Sequence, residues 1–146
     1  MTVFLDSSAL VKRYADEPES HLVRAISGPV LASDLASVEV PAALWRKHRI
    51  GEISASDAHV LCRRFLDDVS AMGLERNTVL IDAGQDILRS AISLVARHPL
   101  RAYDAVQLAS ALSASHLMGG CSFGSFDRRL SAAAAIEGLR LLQFSM

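Results

Sequence analysis

Short apolar runs alternate along this chain with longer stretches of helical periodicity, and that alternation narrows the fold to an α/β arrangement with a central, mainly parallel β-sheet. Val3–Leu5 runs into Asp6-Ser7-Ser8, and Pro29–Ala32 runs into Ser33 and Asp34, so both read as buried strands feeding loops. Thr78–Ile81, Ser122–Phe123 and Leu139–Phe144 repeat the pattern, each with helical sequence before it. The helical stretches are Glu19–Ile26, Val40–Ile50, Ala55–Met72, Asp86–Ala96 and Tyr103–Leu117. Their borders carry matching punctuation. Ser54 is placed to cap the third, with Asp57 in its first turn and Gly73 after its end, Pro99 blocks the fourth, and Gly119-Gly120 closes the fifth. The alanine run Ala132–Ala135 suits a short helix.

The length of 146 residues and the 51% hydrophobic content suit one well-buried core, so residues 1–146 are expected to form a single domain. Fifteen basic residues against sixteen acidic ones give a formal charge of −1, which excludes a protein that grips nucleic acid by bulk charge. Contacts to phosphate must then be local or assisted by bound cations. The first apolar run is only three residues long before Asp6 interrupts it, too short for a signal-peptide core or a membrane span, and a cytoplasmic protein is expected. Cys62 and Cys121 lack the close spacing of a thiolate metal site and read as free thiols in a reducing compartment.

In an open parallel sheet, ligands bind in the crevice outside the carboxyl ends of the strands. Asp6 directly follows the first strand, Asp127 follows the fourth within SFGSFDRRL, and Glu39 lies a few residues beyond the second. Asp104 stands in the first turn of the helix Tyr103–Leu117, where it can face the same end. A lone Asp at such a place is usually a cap that complements the helix dipole. These acids, however, are set in apolar sequence: Leu5 before Asp6, Val38 and Val40 around Glu39, Ala102 and Ala105-Val106 around Asp104. An ionised group there needs a partner, and a hard divalent cation with oxygen ligands is the simplest one for several carboxylates that would otherwise repel each other.

The segments LDSSALVKRY, SDLASVEVPAALWR, RAYDAVQLASAL and SFDRRL resemble, in order and rough spacing, the four acidic motifs of the PIN-domain family, and are most similar to those of VapC-type toxins from bacterial toxin–antitoxin pairs. The resemblance covers essentially the whole chain, and the Asp104 motif is its most specific part. It implies a three-layer fold with helices on both faces of the sheet and magnesium- or manganese-dependent endonucleolytic cleavage of RNA that leaves a 5′ phosphate. Carried over by position, it makes Asp6, Asp104 and Asp127 metal ligands, with Glu39 completing the catalytic cluster directly or through a water. Ser125 and Ser7 become supporting hydroxyls. A homodimer and a cognate antitoxin protein are further implications. Pro41, two residues beyond Glu39, leaves two geometries: Glu39 at the helix start, or a kinked helix.

Other residues read more plainly. Arg13 and Arg128, just beyond candidate ligands, are the expected phosphate contacts, while Arg46, Lys47 and Arg49 read as a solvated helix face. Arg101 suits a site carboxylate as well as a phosphate. His21, His48, His59, His98 and His116 are scattered without metal-site spacing, and Trp45 reads as core or interface. Asp82 also follows a strand, but is assigned to capping the next helix. Two alternatives compete with the nuclease. A haloacid dehalogenase-like hydrolase would use Asp6 as nucleophile, but wants a second Asp where Ser8 stands. A PIN-like module that binds RNA or protein without cutting would have no need of four intact acids.

Overall fold

The computed structural model of the protein describes residues 2–70 and 78–144. Five strands, β1 (Val3–Leu5), β2 (Val30–Ser33), β3 (Thr78–Ile81), β4 (Ser122–Gly124) and β5 (Arg140–Leu141), form one sheet in the order β3-β2-β1-β4-β5. Every pairing is parallel, with Phe4 of β1 opposite Leu31 on one side and Phe123 on the other. Side chains alternate across a strand, and both faces of this sheet are covered, which is why β1 is apolar at every position. Val3 and Leu5 join Val30 and Ala32 on one face, whereas Phe4 stacks on Phe123 at 6.0 Å on the other.

The first face is covered by α1 (Ser7–Leu10), a 3-10 turn at Val11–Arg13, α2 (Ser20–Arg24), α3 (Ala36–Arg49) and α4 (Ala55–Ser70). The second is covered by α5 (Gln85–Arg97), α6 (Ala102–Met118) and α7 (Arg128–Ile136). The expected three-layer arrangement is therefore present. Helix α6 is buried along most of its length by Ala105, Val106, Leu108, Ala109, Ala111 and Ala114, with Gln107 and Ser110 buried among them, and it ends at Gly119 in the left-handed conformation. Ser110 satisfies its hydroxyl on the Val106 carbonyl. No helix among the described residues is long and apolar enough to cross a membrane.

Several boundaries differ from those expected. Ser54 caps α4 as anticipated, its hydroxyl accepting from the Asp57 amide at 3.0 Å; the Gly73 stop signal and the end expected at Met72 lie outside the described residues. Helix α3 begins four residues earlier than its apolar periodicity suggested, so Glu39 falls in its first turn and Pro41 inside it. The proline forfeits one backbone bond there without ending the helix. The segment after Asp6, read as a turn, is the short helix α1. The pairing of β5 is limited to Arg140–Leu141 at the sheet edge, although the Leu142 amide still donates to the Phe123 carbonyl. The capping role expected for Asp82 is not seen: its carboxylate is exposed, and the N-cap of α5 is Gly84, which has no side-chain cap bond. Trp45 meets the rings of His48 and His59 edge-on, joining α3 to α4.

Candidate active site

Asp6, Glu39, Asp104 and Asp127 line one open cleft at the carboxyl ends of β1 and β4. Each reaches it from the start of a helix. Asp6 and Asp127 are the N-caps of α1 and α7, while Glu39 and Asp104 occupy the first turns of α3 and α6. Helix N-termini present free amides and a positive dipole end, so four of them around one cleft make it tolerant of anions.

Asp6 is the most enclosed of the four, with 3% exposure. Its Oδ1 accepts from the Ala9 amide at 2.9 Å, its Oδ2 accepts from the Ser125 hydroxyl at 2.6 Å, and the Ser8 hydroxyl reaches both oxygens. Ser125 also accepts from the Asp127 amide at 3.0 Å, so one hydroxyl links two of the acids. Asp127 in turn accepts from the Leu130 amide at 3.0 Å. Gly124 permits this junction: a Cβ there would stand 2.7 Å from Leu5 Cδ2.

Glu39 is held by a second network. The Gln107 amide nitrogen donates to Glu39 Oε1 at 2.8 Å and to the Ser7 hydroxyl at 3.0 Å. The Ser7 hydroxyl donates to the same Glu39 oxygen at 3.1 Å, and the Ser7 backbone N–H donates to Gln107 Oε1 at 2.9 Å. Asp104 is partly exposed and faces the Arg101 guanidinium at 3.4 Å, so Arg101 pairs with a site carboxylate.

Burial pushes the Asp6 carboxyl up to about 6 against its hydrogen bonds from Ser125, Ala9 and Ser8, and the charge of Asp104 adds to the rise. Burial also raises Glu39; the Ser7 and Gln107 hydrogen bonds oppose that rise and Asp104 reinforces it. A cation in the cleft would offset both effects. Among the described residues no three His, Cys, Asp or Glu side chains are grouped closely enough to enclose an ion unaided, so the acids ring the cleft without meeting at a point. An all-oxygen donor set so arranged suits magnesium or manganese, ions that keep several waters and take a few carboxylates.

The structure places the four acids along one cleft, with Ser7 bonded to Glu39 and Ser125 bonded to Asp6. Arg128 lies beside them, lining an adjoining pocket with Arg101, Arg129, Asp104 and Asp127. Arg13 does not join them. Its guanidinium turns to the Ile26 carbonyl at 3.4 Å and lines a separate pocket with Arg24 and Arg64, which removes it from phosphate contact at the cleft. Lys12 and Arg46 line the cleft instead, correcting the reading of Arg46 as only a solvated-face residue. Lys12 is anchored by the Pro18 carbonyl at 2.7 Å and by Glu17 at 3.3 Å, and sits 4.8 Å from the centre of the Phe126 ring. Gln107 was not singled out from the sequence; its signal is a polar residue three positions after Asp104, on the same helix face.

A family profile described as PIN domain matches residues 3–136. Ribonuclease VapC45 of Mycobacterium tuberculosis (strain CDC 1551 / Oshkosh) and Ribonuclease VapC49 of Mycobacterium tuberculosis (strain ATCC 25618 / H37Rv) are each 34% identical to this chain over 145 residues, covering 95% of it and 93% of their own length. Among solved structures, FitAcB from Neisseria gonorrhoeae superposes with a TM-score of 0.65 at 12% identity, covering 97% of each chain. A toxin–antitoxin complex from Klebsiella pneumoniae superposes with a TM-score of 0.61 at 17% identity, covering 90% of this chain and 91% of its counterpart. The structural likeness carries the fold, and the sequence match spans nearly the whole length: this chain belongs to the PIN-domain family.

Proposed function

We propose that this protein is a divalent-metal-dependent endoribonuclease, the toxin of a toxin–antitoxin pair, hydrolysing RNA phosphodiester bonds at the cleft formed by Asp6, Glu39, Asp104 and Asp127. The observation that carries the reading is the convergence of these four acids at four helix starts around a single cleft. It is supported by relatives that are themselves named ribonucleases. Asp6, Asp104 and Asp127 would hold magnesium or manganese, with Glu39 completing the set directly or through a water. Such an ion supplies charge neutralisation at the phosphate and lowers the pKa of water.

The chain's own groups supply position. Ser125 and the Ala9 amide fix Asp6, and Asp127 is fixed by Ser125 and Leu130. Arg128, exposed beside Asp104 and Asp127, contacts the phosphates that flank the cut, with Arg101 released from Asp104 as a second cation. An antitoxin protein that covers this cleft in the cytoplasm, and a homodimeric toxin, belong to the same proposal; a related structure titled a toxin–antitoxin complex supports the partner.

The test is incubation of the purified protein with structured RNAs in EDTA, in magnesium and in manganese. Discrete fragments bearing 5′ phosphates are expected with either metal and none in EDTA. Absence of cleavage with both metals, or equal cleavage in EDTA, would overturn the reading.

A further inference from the structure

We propose that Gln107 is a positioning residue: its buried amide commits one oxygen of Glu39 to the protein and leaves the other as the single donor that Glu39 offers to the cleft. The inference rests on the metal-dependent ribonuclease reading above and adds to it a residue outside the acidic motifs.

Gln107 is 3% exposed, in the most apolar helix of the fold, where an amide persists only if its hydrogen bonds are made. It makes three: both amide protons are used, on Glu39 Oε1 and Ser7 Oγ, and its carbonyl accepts from the Ser7 backbone N–H. Glu39 Oε1 therefore receives two donors, from Gln107 at 2.8 Å and Ser7 at 3.1 Å, while Oε2 takes none from the described residues. Such a carboxylate is biased against two-oxygen chelation and presents one oxygen in a fixed direction. The geometry also ties three elements together. Gln107 lies one helical turn beyond Asp104 on α6, bonds the residue that follows Asp6, and bonds Glu39 of α3, so one side chain sets the mutual register of three site acids.

Two substitutions separate positioning from packing. Gln107→Asn keeps a buried amide that is one methylene too short to reach Glu39 Oε1 and adds no charge to the site. Gln107→Met keeps the shape and loses every bond. Each is compared with the wild-type protein by calorimetric titration of manganese, by kcat and KM for RNA cleavage, and by melting in EDTA. Both comparisons are repeated in a Glu39→Gln background.

Manganese affinity and kcat are expected to fall about 10- to 100-fold in both variants, the range typical of lost partners behind metal ligands, with KM for RNA little changed. In the Glu39→Gln background the same substitutions should change manganese affinity by no more than about twofold, because the group through which Gln107 acts is gone. A folded Gln107→Asn protein with wild-type manganese affinity would overturn the proposal, as would losses that simply add in the Glu39→Gln background. If neither variant melts cooperatively, Gln107 is a packing residue and the proposal falls. A wild-type protein that neither binds manganese nor cleaves RNA would instead bring down the ribonuclease reading, and this one with it.

Discussion

Asp6 shows most clearly what the cleft imposes on a single residue. With its carboxyl pushed up to about 6 by burial, the folded state holds the proton more tightly than the unfolded chain, whose ordinary value is 3.8. Its contribution to stability is thus fully present below about pH 4 and is lost as pH rises through about 6. Asp6→Asn keeps an oxygen for the Ala9 amide and removes the titration. In EDTA at pH 7 this variant should be more stable than the wild type, by at most about 3 kcal/mol, and so melt higher, with the gap closing toward pH 4. Melting curves across that range check it, and a lower melting temperature at pH 7 would contradict it. The candidate acids could be picked out in the sequence because each follows a strand or opens a helix, with Asp6, Glu39 and Asp104 in apolar surroundings. Gln107 was not, because a polar residue inside a helical stretch does not announce which way it faces. Arg13 and Lys12 illustrate the same limit: neighbours in sequence, they turn to different pockets, and only Lys12 reaches the cleft.

Among the elements, β4 and its exit are the tightest. Gly124 ends the strand and Ser125 follows, linking Asp6 to Asp127. Gly124→Ala would press a methyl against buried Leu5 and against Leu142 and Phe144, the last two at 3.3 Å. We expect a destabilisation of about 1 to 3 kcal/mol by urea unfolding, as for other overpacked cores, together with slower RNA cleavage as Ser125 shifts. Unchanged unfolding would mean that the strand relaxes freely. The loop after β3 provides the contrast. Asp82 is exposed and caps nothing, so Asp82→Asn should alter stability by no more than about 0.5 kcal/mol and leave cleavage intact. A large drop in rate with normal melting would bring a fifth acid into the site. Strand and helix order was readable from apolar periodicity, but the early start of α3 was not: Ala36 to Val38 lacks the pattern, and Pro41 left open a start at Glu39 or a kink.

For the whole molecule, topology decides where chemistry is possible. The chain lays β2 and β3 on one side of β1 and then returns to place β4 and β5 on the other, so the sheet changes direction between β1 and β4. A crevice opens at that switch point, and Asp6 and Asp127 stand at its two sides. Parallel order and the position of the crevice could be argued from the sequence; the side chains that steady the acids required three-dimensional packing. With a formal charge of only −1 and only a few basic groups, Lys12, Arg46, Arg101 and Arg128 among them, at the cleft and its adjoining pocket, RNA recognition should depend on the bound ion more than on bulk charge. The most direct test titrates manganese into the wild type, Asp104→Asn and Asp82→Asn while following both heat of binding and RNA cleavage. The wild type and Asp82→Asn should bind manganese and cleave in parallel with occupancy, whereas Asp104→Asn should stay folded and lose both; full cleavage by Asp104→Asn, or cleavage that does not follow manganese occupancy, would contradict the assignment of this cleft as a metal-dependent ribonuclease site.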